Sequence, residues 1–477
     1  MILGIIGILI SLALLITLAY RGVPVIIAAP ISSIVALLFS GAPLLASYTE
    51  IFMPAMAGFV GSYFPVFLTG AIFGILMTVT GYAKSIATTV TSWVGARGAI
   101  AATVITSALM TYGGISLFVV AFVMYPLARE LFRAADIPRR LIPATIALGI
   151  FTFTMTALPG TPQVQNIIPG QFFGTGSFAG VAVGLIGSAG ILAFGMAWLE
   201  YRRRAMARNG ETFSAAHHAI DDAPASGGAG TPDEDPSGHS ANALTPPNRW
   251  VPFLPLLTVF AVNFACTLFI FPAMDWGYLA EDKYGAIELS SRAALWAVLV
   301  GIIASILLIV ALNFGHRRKL AGAFADGAKQ AMLPAFSTAS EVGYGAVVAS
   351  VAAFALVRDS IFNMGANAVI TSVVTISITA GLTGSSSGGM TIALNALGDE
   401  LRAMAEADGT SLEVMHRLTA MAAGGLDTLP HSGAVVTLLL VCGLSHRQSY
   451  KDVAMITMVG PVLVVALLVA AVSLGAF

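Results

Sequence analysis

Three ionisable residues stand where an apolar chain makes them costly. Asp427 and His431 lie in Gly424-Gly425-Leu426-Asp427-Thr428-Leu429-Pro430-His431-Ser432-Gly433, and Glu341 opens Glu341-Val342-Gly343-Tyr344-Gly345. Ionisable groups inside hydrophobic segments mark a functional site by default. A carboxyl group's affinity for a proton changes with its access to water, and histidine titrates in the physiological range. All three are therefore candidate proton carriers. The i, i+4 spacing of Asp427 and His431 equally allows a structural pair that never titrates. Thr428, Ser432 and Gly433 add hydrogen-bonding groups to the same break.

A similar break lies in the first half, at Thr156-Ala157-Leu158-Pro159-Gly160-Thr161-Pro162-Gln163-Val164-Gln165-Asn166. Pro159 and Pro162 remove backbone donors and stop a helix, while Gly160 reaches dihedrals that other residues resist. Thr161, Gln163, Gln165 and Asn166 then supply neutral polar groups where a helix restarts, and helix N-termini attract anions. Each break follows a Gly-Gly partner, Thr111-Tyr112-Gly113-Gly114-Ile115-Ser116 and Thr383-Gly384-Ser385-Ser386-Ser387-Gly388-Gly389. Successive N–H groups in such turns form anion-binding nests. No lysine or arginine lies within any of the four segments, which points to a small monoanion held by neutral donors rather than by a salt bridge. Interrupted apolar segments at matching places in two halves point to the binding site of a secondary transporter. Irregular backbone survives at membrane depth only inside protein or beside a water-filled cavity.

The elements that must position these residues are long and apolar. The chain is 57% hydrophobic and 10% charged, against about a quarter charged in ordinary soluble domains. The pattern predicts an all-α polytopic membrane protein of about ten spanning helices and two re-entrant hairpins. Helices are expected near 2–19, 24–40, 63–82, 141–158 and 177–200, then near 251–273, 291–313, 330–357, 413–445 and 453–475; hairpins are expected near 98–127 and 364–397. Five spans per half give two repeats of inverted topology, each with a hairpin and a broken helix. Basic clusters at Arg129–Arg140, Arg202–Arg208, Arg317–Lys319 and Arg447–Lys451 all fall on one side, which the positive-inside rule makes cytoplasmic. Both termini are then extracytoplasmic. The apolar N-terminus lacks a basic leading region and a cleavage site, so it reads as the first span rather than a secretion signal.

Residues 209–249 are rich in Ala, Gly, Ser, Pro and Asp and cannot bury enough surface to offset their ordering entropy. They read as a cytoplasmic linker between an N-terminal repeat, 1–208, and a C-terminal repeat, 250–477. His217 and His218 in the linker read as a solvated pair. Cys266 and Cys442 read as buried core residues rather than a disulfide or metal site, and no metal site is expected elsewhere. A hydrolase built on Ser432 or Ser386 with His431 and Asp427 is disfavoured, because the acid and the base share one break and no oxyanion site can be read. A non-enzymatic role follows. A passive anion channel using the same breaks is the rival class.

Thr111–Pro126, Leu158–Asn166, Glu341–Val347 and Leu426–Arg447 together resemble the gluconate permease (GntP) family of the ion transporter superfamily, and the resemblance covers nearly the whole chain outside the linker. Within the family the chain looks closest to permeases of 3-hydroxybutyrate and related hydroxy acids. The resemblance implies proton-coupled symport of a small hydroxy-monocarboxylate across a bacterial inner membrane, with a homodimeric, elevator-like carrier. It implies a small carboxylate and the lipid bilayer as partners, no nucleic acid, and no cofactor besides the coupling proton. Sodium-coupled dicarboxylate members of the superfamily carry Ser-Asn-Thr at the hairpin tips. This chain has Tyr112-Gly113-Gly114 and Ser386-Ser387-Gly388, which argues against sodium. Substrate binding falls on Tyr112, Gly113, Gly114, Ser116, Gly160, Thr161, Gln163 and Asn166 in the first half. In the second half it falls on Ser385, Ser386, Ser387, Gly388, Thr428, Ser432 and Gly433, with Asp427, His431 or Glu341 carrying the proton.

Overall fold

The computed structural model describes residues 2–475 apart from 22, 95–97, 116, 214–243, 245, 247, 353, 355–366 and 431. Most of the linker, the hydroxyl of Ser116 and the ring of His431 thus lie outside the described residues. Among the described residues there are helices and turns and no strands.

In chain order the helices are α1 (Ile2–Tyr20), α2 (Val25–Ser40), α3 (Leu44–Val79), α4 (Tyr82–Val94), α5 (Ala99–Tyr112), α6 (Leu117–Ala134), α7 (Ile142–Ile150), α8 (Ile168–Phe173) and α9 (Val181–Arg208). There follow α10 (Val251–Ala273), α11 (Ala293–Leu312), α12 (Arg317–Ser350), α13 (Ala368–Thr383), α14 (Ser386–Ala407), α15 (Leu412–Leu426), α16 (Gly433–Val441) and α17 (His446–Ser473). Five of them, α3, α9, α10, α11 and α17, are long and apolar enough to cross a membrane. The order helix pair, interrupted helix, long helix occurs in α5–α9 and again in α13–α17.

Several boundaries differ from the sequence expectation. The third span begins at Leu44 rather than near 63, and at 36 residues it is about 54 Å long. Pro54 and Pro65 lie inside it without ending it, and a π-helical stretch, Tyr48–Phe52, absorbs the irregularity near its start. The helix α4 was not expected. Tyr82, Ala83, Ile86, Ala87 and Val90 are buried, a spacing that puts one apolar face against the protein while Lys84, Thr88 and Trp93 stay exposed. The helix α12 begins at Arg317 rather than near 330, because its charged first turns hide a continuous helix that packs along α3, α2 and α14.

Contacts bring three of the basic clusters, those around Arg140, Arg202 and Arg447–Lys451, to one end of the molecule. Arg140 pairs with Glu211 at 2.7 Å and its carbonyl accepts from Ser449 at 2.8 Å. Arg202 grips Asp452 through two bonds of 2.6 and 3.2 Å, and Trp198 donates to the same carboxylate at 3.1 Å. That nearly buried pair fastens α9 to α17. Both cysteines are free and buried.

The α13–α14 pair turns at Gly384, whose φ of 65° gives the left-handed cap that glycine favours. The two helices then approach so closely that a Cβ on Gly389 would run into the backbone of Ala380. Overpacking of this kind costs about 1–3 kcal/mol. Gly389→Ala is expected to lower the unfolding temperature in detergent by several degrees, whereas Gly58→Ala, which has no atom within 4 Å of the added carbon, leaves it unchanged; equal unfolding temperatures for the two variants would remove this contact from the fold's determinants.

Candidate functional site

The first break is folded back onto the segment leading into α9. Helix α7 ends at Ile150, one further turn spans Phe153–Thr156, and the chain then leaves the helical path. Pro159 and Pro162 cannot continue it. Gly160, at φ 78°, donates its N–H to the Ser177 carbonyl at 2.8 Å, and its own carbonyl accepts from Asn263 at 3.0 Å. Ser177 donates back to Asn263 at 3.3 Å. Asn166 donates to the carbonyls of Thr161 and Ser177 at 2.9 and 2.8 Å. The first tip, at Gly113–Ile115, docks on the same loop: Tyr112 donates to the Pro159 carbonyl at 2.8 Å, and Gln163 donates to the Thr111 carbonyl at 2.8 Å. Tyr112, Gln163 and Asn166 thus hold the break in shape. The hydroxyls of Thr111 and Thr161 are buried with no hydrogen-bond partner among the described residues.

The second break opens after Leu426 and closes at Gly433. The Ser432 N–H donates to the Leu429 carbonyl at 2.8 Å, which forms the turn that restarts the helix. Thr428 shares a hydrogen bond of 2.6 Å with Thr457, and its carbonyl accepts from Tyr450 at 3.0 Å. The Pro430 carbonyl accepts from the His446 ring at 2.9 Å. The hydroxyl of Thr428 is therefore spent on α17. Gly433 faces open space.

At the second tip, Ser385 caps α14 by accepting the Gly388 N–H at 3.2 Å. Two carboxyl groups close on neighbouring residues of this tip. Glu341, from α12, reaches Ser385 and lies over the bare α-carbon of Gly388. Asp427, from the break, reaches Ser386. Both are almost fully buried, and among the described residues Glu341 Oε2 and Asp427 Oδ1 have no hydrogen-bond partner. Buried polar atoms are normally satisfied, so two unmatched carboxyl oxygens at one tip call for an ion, a proton, water or a ligand. Ser387 is also buried, and its carbonyl accepts from Thr391 at 2.7 Å.

The two halves meet here. Gln165, in the first break, donates to the Ser386 hydroxyl oxygen at 3.0 Å, and Ser386 touches Asp427. One short polar line thus joins first break, second tip and second break.

The absence of a basic group from the four segments does not extend to the space around them. Arg417, on α15, is completely buried and directs its guanidinium into the first break. It donates to the carbonyls of Thr156 (3.3 Å), Ser177 (3.2 Å) and Ala179 (3.0 and 2.7 Å), and to Asn166 Oδ1 (2.7 Å). His416 beside it contacts Thr175 Oγ1 at 2.7 Å and Asn166 Oδ1 at 3.4 Å. The signal was present as two basic residues inside the apolar run Val414–Met421. Their partners lie more than 200 positions away, which no local pattern reveals.

A relative from Bacillus subtilis (strain 168), described as the uncharacterized transporter YxjC, is 42% identical over 459 residues, 95% of each chain. The model of the GntP family of permeases matches residues 1–226. This chain belongs to the GntP permease family. It is thus a multi-pass membrane transporter, and its family and relative are permeases and transporters rather than enzymes. The crystal structure of the Alcanivorax borkumensis YdaH transporter, described there as having an unusual topology, superposes with a TM-score of 0.52 over 88% of each chain at 14% identity. That likeness concerns the fold.

The Gln165–Ser386 bond makes a measurable statement about this family member. A double-mutant cycle with Gln165→Leu and Ser386→Ala, read by unfolding in detergent, is expected to give a coupling of about 1 kcal/mol; additive effects would mean that the two breaks are not joined through this bond.

Proposed function

We propose that the protein is a proton-coupled symporter of a small hydroxy-monocarboxylate, of 3-hydroxybutyrate, gluconate or glycerate type, in a bacterial inner membrane. In this reading α5–α6 and α13–α14 are re-entrant hairpins of two inverted-topology repeats with about ten spans in all. Both termini are periplasmic and the linker is cytoplasmic. The carrier works as a homodimer by elevator-like alternating access. The observation that carries the reading is the pair of buried carboxyl groups, Asp427 and Glu341, each with an unmatched oxygen at one Ser-rich tip. A channel needs no such group. A symporter needs one that exchanges its proton with water in step with the ligand.

The substrate class is supported by the neutral groups of the same segments. Buried hydroxyls stand on Thr111 in the first tip and Thr161 in the first break, and the Gln165 amide meets the Ser386 hydroxyl between first break and second tip. Such groups suit a ligand with both hydroxyl and carboxylate. Gathering of basic residues at one molecular end supports the orientation with that end cytoplasmic.

Uptake of labelled D-3-hydroxybutyrate into proteoliposomes tests the proposal. Uphill accumulation is expected under an inward proton gradient, collapsing with an uncoupler, and competition by gluconate, glycerate, lactate and citrate orders the substrates. Uptake that follows a sodium gradient, or that never exceeds equilibrium, would replace the proposal by sodium coupling or by a channel. Asp427→Asn is expected to abolish gradient-driven accumulation while leaving counterflow exchange; wild-type accumulation in that variant would transfer the proton to another group.

A further inference from the structure

We propose that Arg417 sets the coupling between substrate and proton by giving the buried site a permanent positive charge, a role that rests on the symport reading above. A guanidinium remains protonated in proteins. This one is fully buried and, among the described residues, no carboxylate forms an ion pair with it. Its five N–H groups are consumed by the carbonyls of Thr156, Ser177 and Ala179 and by Asn166 Oδ1. The neighbouring titratable groups are Tyr112 of the first tip, His416 on the same helix and Glu413 one turn away. Tyr112 donates to the Pro159 carbonyl as a neutral phenol. The His416 ring lies between a hydroxyl and an amide oxygen, an arrangement that a neutral ring satisfies. Glu413 is exposed, and its carboxylate faces the Gly180 N–H at 3.4 Å. None of these cancels the guanidinium inside the protein.

A buried unit with net charge is costly to carry through a low-dielectric barrier. With both Asp427 and Glu341 protonated, the empty unit carries one positive charge and is completed by one monoanion. Without substrate, the unit becomes neutral when one carboxyl releases its proton to water. The loaded neutral form therefore holds one anion and one more proton than the empty neutral form. The ratio of one to one follows from the fixed charge. Arg417 acts here as a positioning residue, since its donors are already engaged and the substrate feels its field rather than its hydrogen bonds.

The test uses the full chain in proteoliposomes with labelled D-3-hydroxybutyrate, with and without a potassium diffusion potential. Wild-type accumulation under a proton gradient is expected to be insensitive to that potential. Asn166→Asp places a carboxylate against Arg417 at nearly unchanged volume while giving up the bonds Asn166 donates to Thr161 and Ser177, and Arg417→Gln removes the charge. Both are expected to lose accumulation above equilibrium and to raise the acid's KM about tenfold or more. Arg417→Lys keeps the charge without the fork; it is expected to lower the unfolding temperature yet retain accumulation, which a purely structural role would not allow. Asn166→Asp decides the matter where Arg417→Gln fails to fold. Wild-type accumulation and KM in folded Asn166→Asp, or loss of coupling in Arg417→Lys as complete as in Arg417→Gln, would overturn the proposal. An absence of proton dependence in the unsubstituted protein would instead remove the symport reading, and this inference with it.

Discussion

A helix opened inside a membrane protein leaves backbone carbonyl and N–H groups that lipid cannot satisfy, and the rest of this structure is arranged around that constraint. The first break finds its partners far along the chain. Asn263 accepts and donates at the fold-back, and Arg417 gathers three carbonyls. A guanidinium suits the task because its donors form a rigid planar fork and it holds its charge. Leaving even one such carbonyl buried and unmatched would cost about 1–3 kcal/mol. Close approach is part of the solution. Gly180 holds φ 61°, and a Cβ there would lie 2.7 Å from the Cβ of Arg417.

The second break is satisfied differently. Its backbone is tied to α17 through Tyr450 and His446 and its Thr428 hydroxyl through Thr457, while the carboxyl of Asp427 is turned toward the tip of α14. The two breaks are therefore unequal: the first is sealed by a cation, and the second presents an acid. One helix carries both features. Arg417, in the second turn of α15, and Asp427, at its C-terminal cap, stand ten positions apart, about 15 Å along a straight helix. Any movement that shifts the Asp427 end relative to the tip of α14 involves a helix that Arg417 pins by two bonds to the first break and three to the segment leading into α9. In the proposed transporter this helix is the physical connection through which the two halves could influence one another.

Much of this was legible in the residues, for identifiable reasons. Pro159, Pro162 and Pro430 interrupt apolar runs, and proline has one strong local meaning there. Asp427 and Glu341 stood out because charge in such runs is rare. Elsewhere tertiary packing overrides the local preference of proline: Pro54 and Pro65 sit inside α3. The charges of Arg317, Lys319, Asp326 and Lys329 disguised the start of α12 as a loop. Gln165 was visible as a polar residue of the first break, but its partner Ser386 lies in the other half of the chain. Arg417 stands inside an apolar run, but what a buried arginine does depends on which carbonyls the fold brings to it.

The inequality of the two breaks also bears on what kind of ligand the junction can recognise. Had the arginine pointed a free edge into the junction, a carboxylate would have been held by a bidentate pair, and any carboxylate of suitable size would have profited equally. In the proposed symporter, with the guanidinium occupied by carbonyls and by Asn166, direct recognition would fall to Gln165, Ser386 and the unmatched hydroxyls of Thr111 and Thr161. Each hydroxyl can donate once and accept twice. A ligand that brings a hydroxyl as well as a carboxylate can satisfy such groups in both senses, while one lacking the hydroxyl leaves buried partners empty. Sites built to hydrogen-bond a hydroxyl reject analogues without it far more strongly than apolar pockets reject a missing methylene. On this reading the fixed charge selects for an anion at long range, and the neutral groups select among anions at contact.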